Sequence, residues 1–258
     1  MKRFLPVIEN PAYYKMQFVQ GVEFPKTLTL LLSISRKIFI VLILLSGLIL
    51  QAQQNSDAKQ TEYRNVISQR ASKIINRLEI TDSAKYKKVL AEVVNQYFQL
   101  NTIHEQSKAT ISEIKKHQVA KEQIDEAVKK EQDKKSLQLK QLHESFIAHL
   151  KESLTDEQVD KVKDEMTYRV FPITYAAYLD MLPGLTTEQR DKIYSWLKEA
   201  RELAMDAESS EKKHEVFGKY KGRINNYLSA AGYDMKKEGE AWQKRIKERE
   251  EKKKNSQG

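Results

Sequence analysis

The sequence has 258 residues, of which 40% are hydrophobic and 31% are charged, and its formal net charge at pH 7 is +9. This composition favours long helices with wide solvent-exposed faces over a compact α/β enzyme. The lack of cysteine excludes a disulfide framework and an acylated-cysteine anchor, and the interspersed charges argue against a nucleic-acid partner.

The N-terminal segment predicts export. Arg36 and Lys37 precede the apolar run 38–50, and the small residue Ala52 follows it. A basic flank, a short apolar core and a small residue are typical of a secretory signal, so we predict that residues 1–52 are a signal region cleaved after Ala52. The mature protein would then be periplasmic or extracellular.

Two further expectations concern the same segment. Membrane contact is expected only through the signal, and the alternative is a protein anchored in the membrane by its N-terminus. The run of 13 apolar residues is shorter than the ~20 residues that a spanning helix needs. Residues 1–35 are long for the start of a signal, so we expect the true translation start further downstream, for example at Met16.

The next part of the chain predicts a long helical hairpin. Neither glycine nor proline occurs between Gly47 and Pro172, which favours helix throughout. After a first, rather polar helix over 57–78, apolar residues recur from Tyr86 to Ile114 at alternating steps of four and three, as in a coiled-coil seam. The apolar pattern returns over 137–150 after a highly charged run.

These patterns predict two long antiparallel helices over about 81–152 that project into water. The chain would reverse between residues 115 and 136, and one long bent helix is the alternative. The outer part of the hairpin carries few apolar residues, and this thin seam favours a homodimer in which a partner helix packs against the hairpin.

Two short phrases, Leu154–Gln158 and Leu185–Gln189, each place threonine three residues before glutamine. This spacing is that of a capping box, so both phrases are interpreted as helix starts. They open a predicted helical bundle over about 154–233. The mature part of the chain, 53–235, would form one helical domain, and residues 236–258 a basic tail that is either disordered or helical.

Aromatic residues are dense between Met166 and Tyr233, and they supply the only binding surface that the sequence supports. Tyrosine presents a flat apolar ring with a polar tip, which suits a sugar face or an apolar patch on a partner. The alternative is that these rings are packed in the core. Basic and amide side chains nearby could donate hydrogen bonds. The predicted binding residues are Tyr168, Arg169, Tyr175, Tyr178, Lys221, Arg223, Asn225 and Asn226.

No motif predicts a catalytic residue, a cofactor or a metal site. His143 and His149 are six residues apart and do not share a helix face, and no pair of histidines has the spacing of a zinc site. We therefore expect no cofactor, no metal and a protein that is not an enzyme.

Two family resemblances follow from these residues. The Leu-Thr-x-x-Gln phrases resemble the periplasmic Spy/CpxP-type proteins, which implies helices that form a cradle and act on unfolded clients without ATP. A longer resemblance, to a secreted helical family known only as a domain of unknown function, rests on the stretches 70–77, 166–175 and 217–228. Members of that family have been suggested to accompany polysaccharide-uptake systems, which implies a carbohydrate-linked role.

The fold expected from the sequence is all-α, with a long antiparallel helical hairpin packed on a small helical bundle. The expected function is that of an exported, non-enzymatic binding protein, with a polysaccharide or a protein as its partner. A Spy/CpxP-like periplasmic chaperone or stress protein is the first alternative. A carbohydrate-active enzyme is the second, and it would need two carboxylates facing each other across a cleft.

Overall fold

The computed structural model describes residues 60–116 and 120–255, so the predicted signal region lies outside the described residues. From Glu62 onward the described residues belong to one compact unit. Every regular element in the described ranges is a helix, which confirms the all-α prediction. The helices are α1 (60–76), α2 (Ser83–Ile114), α3 (Lys121–Lys151), α4 (Asp156–Met166), α5 (Val170–Met181), α6 (Thr187–Met205), α7 (Ser210–Ala230) and α8 (Met235–Asn255).

Helices α2 and α3 pack side by side as an antiparallel hairpin. Lys88 Nζ lies 2.9 Å from Glu152 Oε2, and His149 Nδ1 lies 3.3 Å from Glu92 Oε2, so later residues of α3 pair with earlier residues of α2. The chain reverses between the end of α2 and the start of α3, in place of a single bent helix. The residues buried along α2 are Val89, Val93, Gln96, Tyr97, Leu100, His104 and Ser107.

Both predicted capping boxes are formed. The hydroxyl oxygen of Thr155 accepts from the amide of Gln158, and the Gln158 side chain accepts from the amide of Thr155. Thr186 and Gln189 make the same reciprocal pair at the start of α6. Each box satisfies two amides that the first turn of a helix leaves without a partner.

Two clusters of buried apolar side chains stabilise the compact unit. The first joins α1, α2, α3 and α4 with Met205 at the end of α6, and the second joins α5, the rest of α6 and α7. Helix α4 contributes Val159, Val162 and Met166 to the first cluster, because these residues recur at helical spacing on its one apolar face. In the stretch predicted as one bundle, α4 thus packs mainly in the core of the hairpin, most of α5–α7 forms the second core, and α6 contributes to both.

The basic tail is helical over most of its length and docks on the end of α5. None of the residues of α8 is buried, so the contact is made by polar and half-buried side chains. Trp242 Nε1 donates to Asp180 Oδ2 at 2.7 Å, and Arg249 Nη2 donates to the same oxygen at 2.8 Å. Among the described helices, none combines the length and the apolar character needed to cross a bilayer.

Candidate binding cleft

A cleft of about 320 Å³ lies between α5, α7 and α8, and it contains three of the predicted binding residues. Tyr178 comes from α5, and Lys221 and Asn225 come from one face of α7 because they are four residues apart. Trp242 of α8 completes the wall. Apolar lining is supplied by Ile173, Ala177, Met181 and Met235.

The Tyr178 hydroxyl holds the side chain of Asn225 in one orientation. Tyr178 is only 5% exposed, and its hydroxyl donates to Asn225 Oδ1 at 2.7 Å. Burial raises the pKa of Tyr178 to about 12, so the hydroxyl stays neutral and keeps donating. Since the oxygen of the Asn225 amide is occupied by Tyr178, its NH2 group is the part left for a ligand.

Polar groups in this cleft are available for a ligand. Among the described residues, neither Lys221 Nζ nor the amide nitrogen of Asn225 has a hydrogen-bond or ion-pair partner. Lys221 and Asn225 are both exposed, and Tyr178 beneath them is buried. An apolar wall with a few unpaired donors is the usual composition of a small-molecule site.

The position of Trp242 is fixed by Asp180. Hydrogen bonds from Arg249 and Trp242 lower the pKa of Asp180, so this carboxylate is fully charged at neutral pH. Arg245 Nη2 donates to the backbone oxygens of Asp180 and Met181 at 3.1 and 3.0 Å, at the end of α5. These contacts attach α8 to α5 and hold the indole at the edge of the cleft.

A second, open concavity of about 610 Å³ continues from the cleft along α8. It shares Met181 and Trp242 with the cleft. Together the two are lined by four lysines and one glutamate, so their surface is basic. The charged lining residues are Lys221, Lys236, Lys244, Lys247 and Glu240.

The other predicted binding residues lie outside the lining of this cleft. Tyr168 and Arg169 form the corner between α4 and α5, both with positive φ, and Tyr168 stacks on His214 with ring centroids 5.6 Å apart. Tyr175 is half-buried among aromatic rings of the second core. Arg223 lies 4.4 Å above the ring of Trp196, and Asn226 is exposed.

A separate groove of about 550 Å³ lies where α3 meets α6, and no pattern in the sequence predicts it. His143 lies between two carboxylates there: its Nε2 is 3.3 Å from Glu202 Oε2, and its Nδ1 is 3.1 Å from Asp206 Oδ2. Lys163 Nζ also contacts Glu202, at 2.9 Å. His143 and Asp206 are 63 positions apart in the sequence, so residue spacing alone could not predict their contact.

The charges in this groove are fixed by one another. Hydrogen bonds to Asp206 and Glu202 raise the pKa of His143 to about 9, in spite of burial. Burial acts to raise the pKa of Glu202, but hydrogen bonds from His143 and Lys163 prevail and lower it to about 2. His143 and Glu202 are therefore both ionised at pH 7, which suits an ion-pair junction better than acid–base catalysis near neutral pH.

In the ranges 60–116 and 120–255, no group of three or more histidine, aspartate and glutamate side chains has an arrangement that could hold a metal ion. The candidate site is thus an apolar cleft with unpaired hydrogen-bond donors. Trp242 is the most important residue of this site that was not predicted from the sequence. Its only signal there is its position as a tryptophan in an otherwise charged tail.

Comparison with known proteins supports one of the resemblances. The sequence model of a family described as "Protein of unknown function (DUF3826)" matches residues 64–248. The matched range is well over half of the chain and includes the residues that line the cleft. None of the curated proteins matches the sequence.

Proposed function

Because the chain belongs to DUF3826, a family of proteins of unknown function, we propose from its own residues that it is a non-enzymatic binding protein that takes an oligosaccharide in the cleft between α5, α7 and α8. The observation that carries this proposal is the pairing of the Trp242 ring with the unpaired amide hydrogens of Asn225 in one cleft.

Sugar rings have apolar faces and a rim of hydroxyl groups. An indole ring and the side chains of Met181 and Met235 match the apolar face. The NH2 group of Asn225 and the ammonium of Lys221 donate to hydroxyl oxygens, and the Thr174 hydroxyl can donate or accept. A polar ligand with apolar faces is therefore a better match than a purely apolar one.

The charge of the extended cleft refines the ligand class. Four lysines against one glutamate favour a ligand with negative groups over a neutral or cationic one. An oligosaccharide that carries carboxylate or sulfate substituents along its length fits both the apolar wall and the lysines. The predicted export and the suggested association with polysaccharide uptake support the same class.

The Asn225→Asp substitution tests the role of the amide. The carboxylate keeps an oxygen that accepts from the Tyr178 hydroxyl but removes both amide donors, so the fold is retained and the ligand contact is lost. We expect the affinity of the full chain for its best glycan, identified on a glycan array and measured by calorimetry, to fall about tenfold or more.

Asn226→Asp is the matched control. It makes the same charge change on the neighbouring exposed residue, which does not line the cleft, and its affinity is expected to stay within about twofold of the wild type. Equal losses in the two variants, or no glycan binding by the wild type, would contradict the proposal. Suppression of client aggregation without glycan binding would favour the Spy/CpxP-like alternative instead, and hydrolysis of the bound glycan the enzyme alternative.

A further inference from the structure

A small, enclosed cavity of about 170 Å³ lies between α1, α2 and the start of α7, and its lining concentrates positive charge. Arg70 comes from α1, and Lys213 comes from the first turn of α7. Ser209 and Ser210, at the N-terminus of α7, also line it. This cavity shares no lining residue with the proposed oligosaccharide cleft, so the inference is independent of that function.

Lys213 is the main reason to expect a ligand. It is only 5% exposed, and its ammonium donates to the backbone oxygens of Met166 and Met205 at 3.1 and 3.3 Å. These are the last residues of α4 and α6, so two helix C-termini offset part of its charge. An ammonium has three hydrogens, and no oxygen or nitrogen of the described residues accepts the third. The ring of Tyr97 also lies near this ammonium, with its centroid 5.9 Å from Lys213 Nζ.

The other groups at the cavity also favour an anion. Arg70 lies 5.7 Å from the centroid of the Tyr97 ring and has no carboxylate partner in the described part of the chain. A guanidinium has five N–H donors and can bind two oxygens at once, so it has donors left for an anion. Helix α7 has 21 residues, and Ser209 Oγ accepts only from the amide of Lys212. The earlier amides of the first turn have no intrahelical partner and carry the positive end of the helix dipole.

Glu208 is the one carboxylate among the lining residues. Its side chain is 49% exposed, and its Oε2 lies 3.5 Å from His104 Nδ1. It is not within ion-pair distance of Lys213. Glu208 therefore leaves the charge of Lys213 and Arg70 available to an incoming ligand.

We propose that this cavity binds a small oxyanion, a carboxylate, sulfate or phosphate group, held by Arg70, the third hydrogen of Lys213 and the first turn of α7. A volume of about 170 Å³ is large enough for one such group. Arg70 is exposed and supplies the contact at the surface, and Lys213 supplies the buried one.

The test is a calorimetric titration of the full chain with inorganic phosphate at constant ionic strength. Saturable binding is expected, with an affinity that falls about tenfold in Arg70→Gln because one charge-assisted contact is lost. Arg64→Gln is the matched control: Arg64 lies on the same helix over the Phe98 ring, does not line the cavity, and should bind phosphate like the wild type.

Parallel titrations with sulfate and acetate distinguish the sources of the oxyanion. Tightest binding of acetate identifies a carboxylate group as the ligand chemistry, and tightest binding of phosphate or sulfate identifies a tetrahedral group. Binding that does not saturate with any of the three, or an equal response of Arg70→Gln and Arg64→Gln, would overturn the proposal. Arg70 is the residue to replace because it is exposed, whereas Lys213 is needed at two helix ends.

Discussion

Replacing Arg201 with methionine is expected to lower the free energy of unfolding by about 3–5 kcal/mol, because it removes one partner from a buried ion-pair network. The Arg201 side chain is 1% exposed. Its Nη1 lies 2.8 Å from Asp164 Oδ1, and its Nη2 lies 2.7 Å from Asp160 Oδ1 and 3.1 Å from Glu202 Oε1. Burial raises the pKa of Asp164, so its charged form depends on the guanidinium that the substitution removes.

Denaturant unfolding of the full chain measures this effect, and Arg223→Met provides the control. Arg223 is exposed, and its ion pair with Glu199 is long, at 3.9 Å. Its replacement is therefore expected to lower the free energy of unfolding by less than about 1 kcal/mol. The network links α4 to α6 and thus joins the two cores. A change of less than about 1 kcal/mol in Arg201→Met would show that this network does not stabilise the fold.

The stability of the fold is expected to fall as the pH rises from 6.5 to 8, because His143 begins to lose its proton in this interval. Its pKa is about 9 in the folded chain and 6.5 in the unfolded chain, so the folded state holds the proton more tightly. The stabilisation is complete below pH 6.5 and is lost as the pH passes through 9. Between pH 6.5 and 8 the expected loss is about 1–2 kcal/mol.

Lys213 acts in the opposite direction at higher pH. Burial lowers the pKa of Lys213 from 10.5 to about 8, so the unfolded state binds more protons between these values and stability rises with pH there. Measurements between pH 6.5 and 8 therefore isolate His143. Unfolding free energies of the wild type and of His143→Gln should converge over this interval.

His149→Gln is the control for the pH experiment. His149 also pairs with a glutamate, but its side chain is 48% exposed and the pair spans α2 and α3. The difference in free energy of unfolding between His149→Gln and the wild type is expected to change by less than about 0.5 kcal/mol between pH 6.5 and 8. Two results would contradict the raised pKa of His143. One is a wild-type free energy of unfolding that does not change between pH 6.5 and 8, and the other is a constant difference in this free energy between the wild type and His143→Gln.

Local features of the fold could be predicted from the sequence because they depend on near neighbours. Thr155 and Thr186 cap their helices through residues three positions away, and the buried seam of α2 follows its own spacing. The partner of α4 could not be predicted. The spacing of Val159, Val162 and Met166 predicts an apolar face but does not specify which helices that face packs against.

The same limit applies to the candidate site. Tyr178, Lys221 and Asn225 were predicted from their chemistry, but nothing in the sequence separates them from Tyr168, which stacks on His214 elsewhere. Trp242 is held at the cleft by Asp180, 62 residues earlier, which accepts a hydrogen bond from its indole nitrogen. Contacts between residues so far apart depend on the packed arrangement of helices and leave no periodic signal.

The fluorescence of Trp242 gives the most direct test of the central claim, that the cleft binds an oligosaccharide. The chain has two tryptophans, so Trp196→Phe leaves Trp242 as the sole source of tryptophan emission. Titrating this variant of the full chain with its best acidic glycan is expected to give a saturable change in emission. The dissociation constant from this change should equal the one measured by calorimetry. Calorimetric binding without any change in Trp242 emission, or no saturable change with any glycan, would contradict the claim.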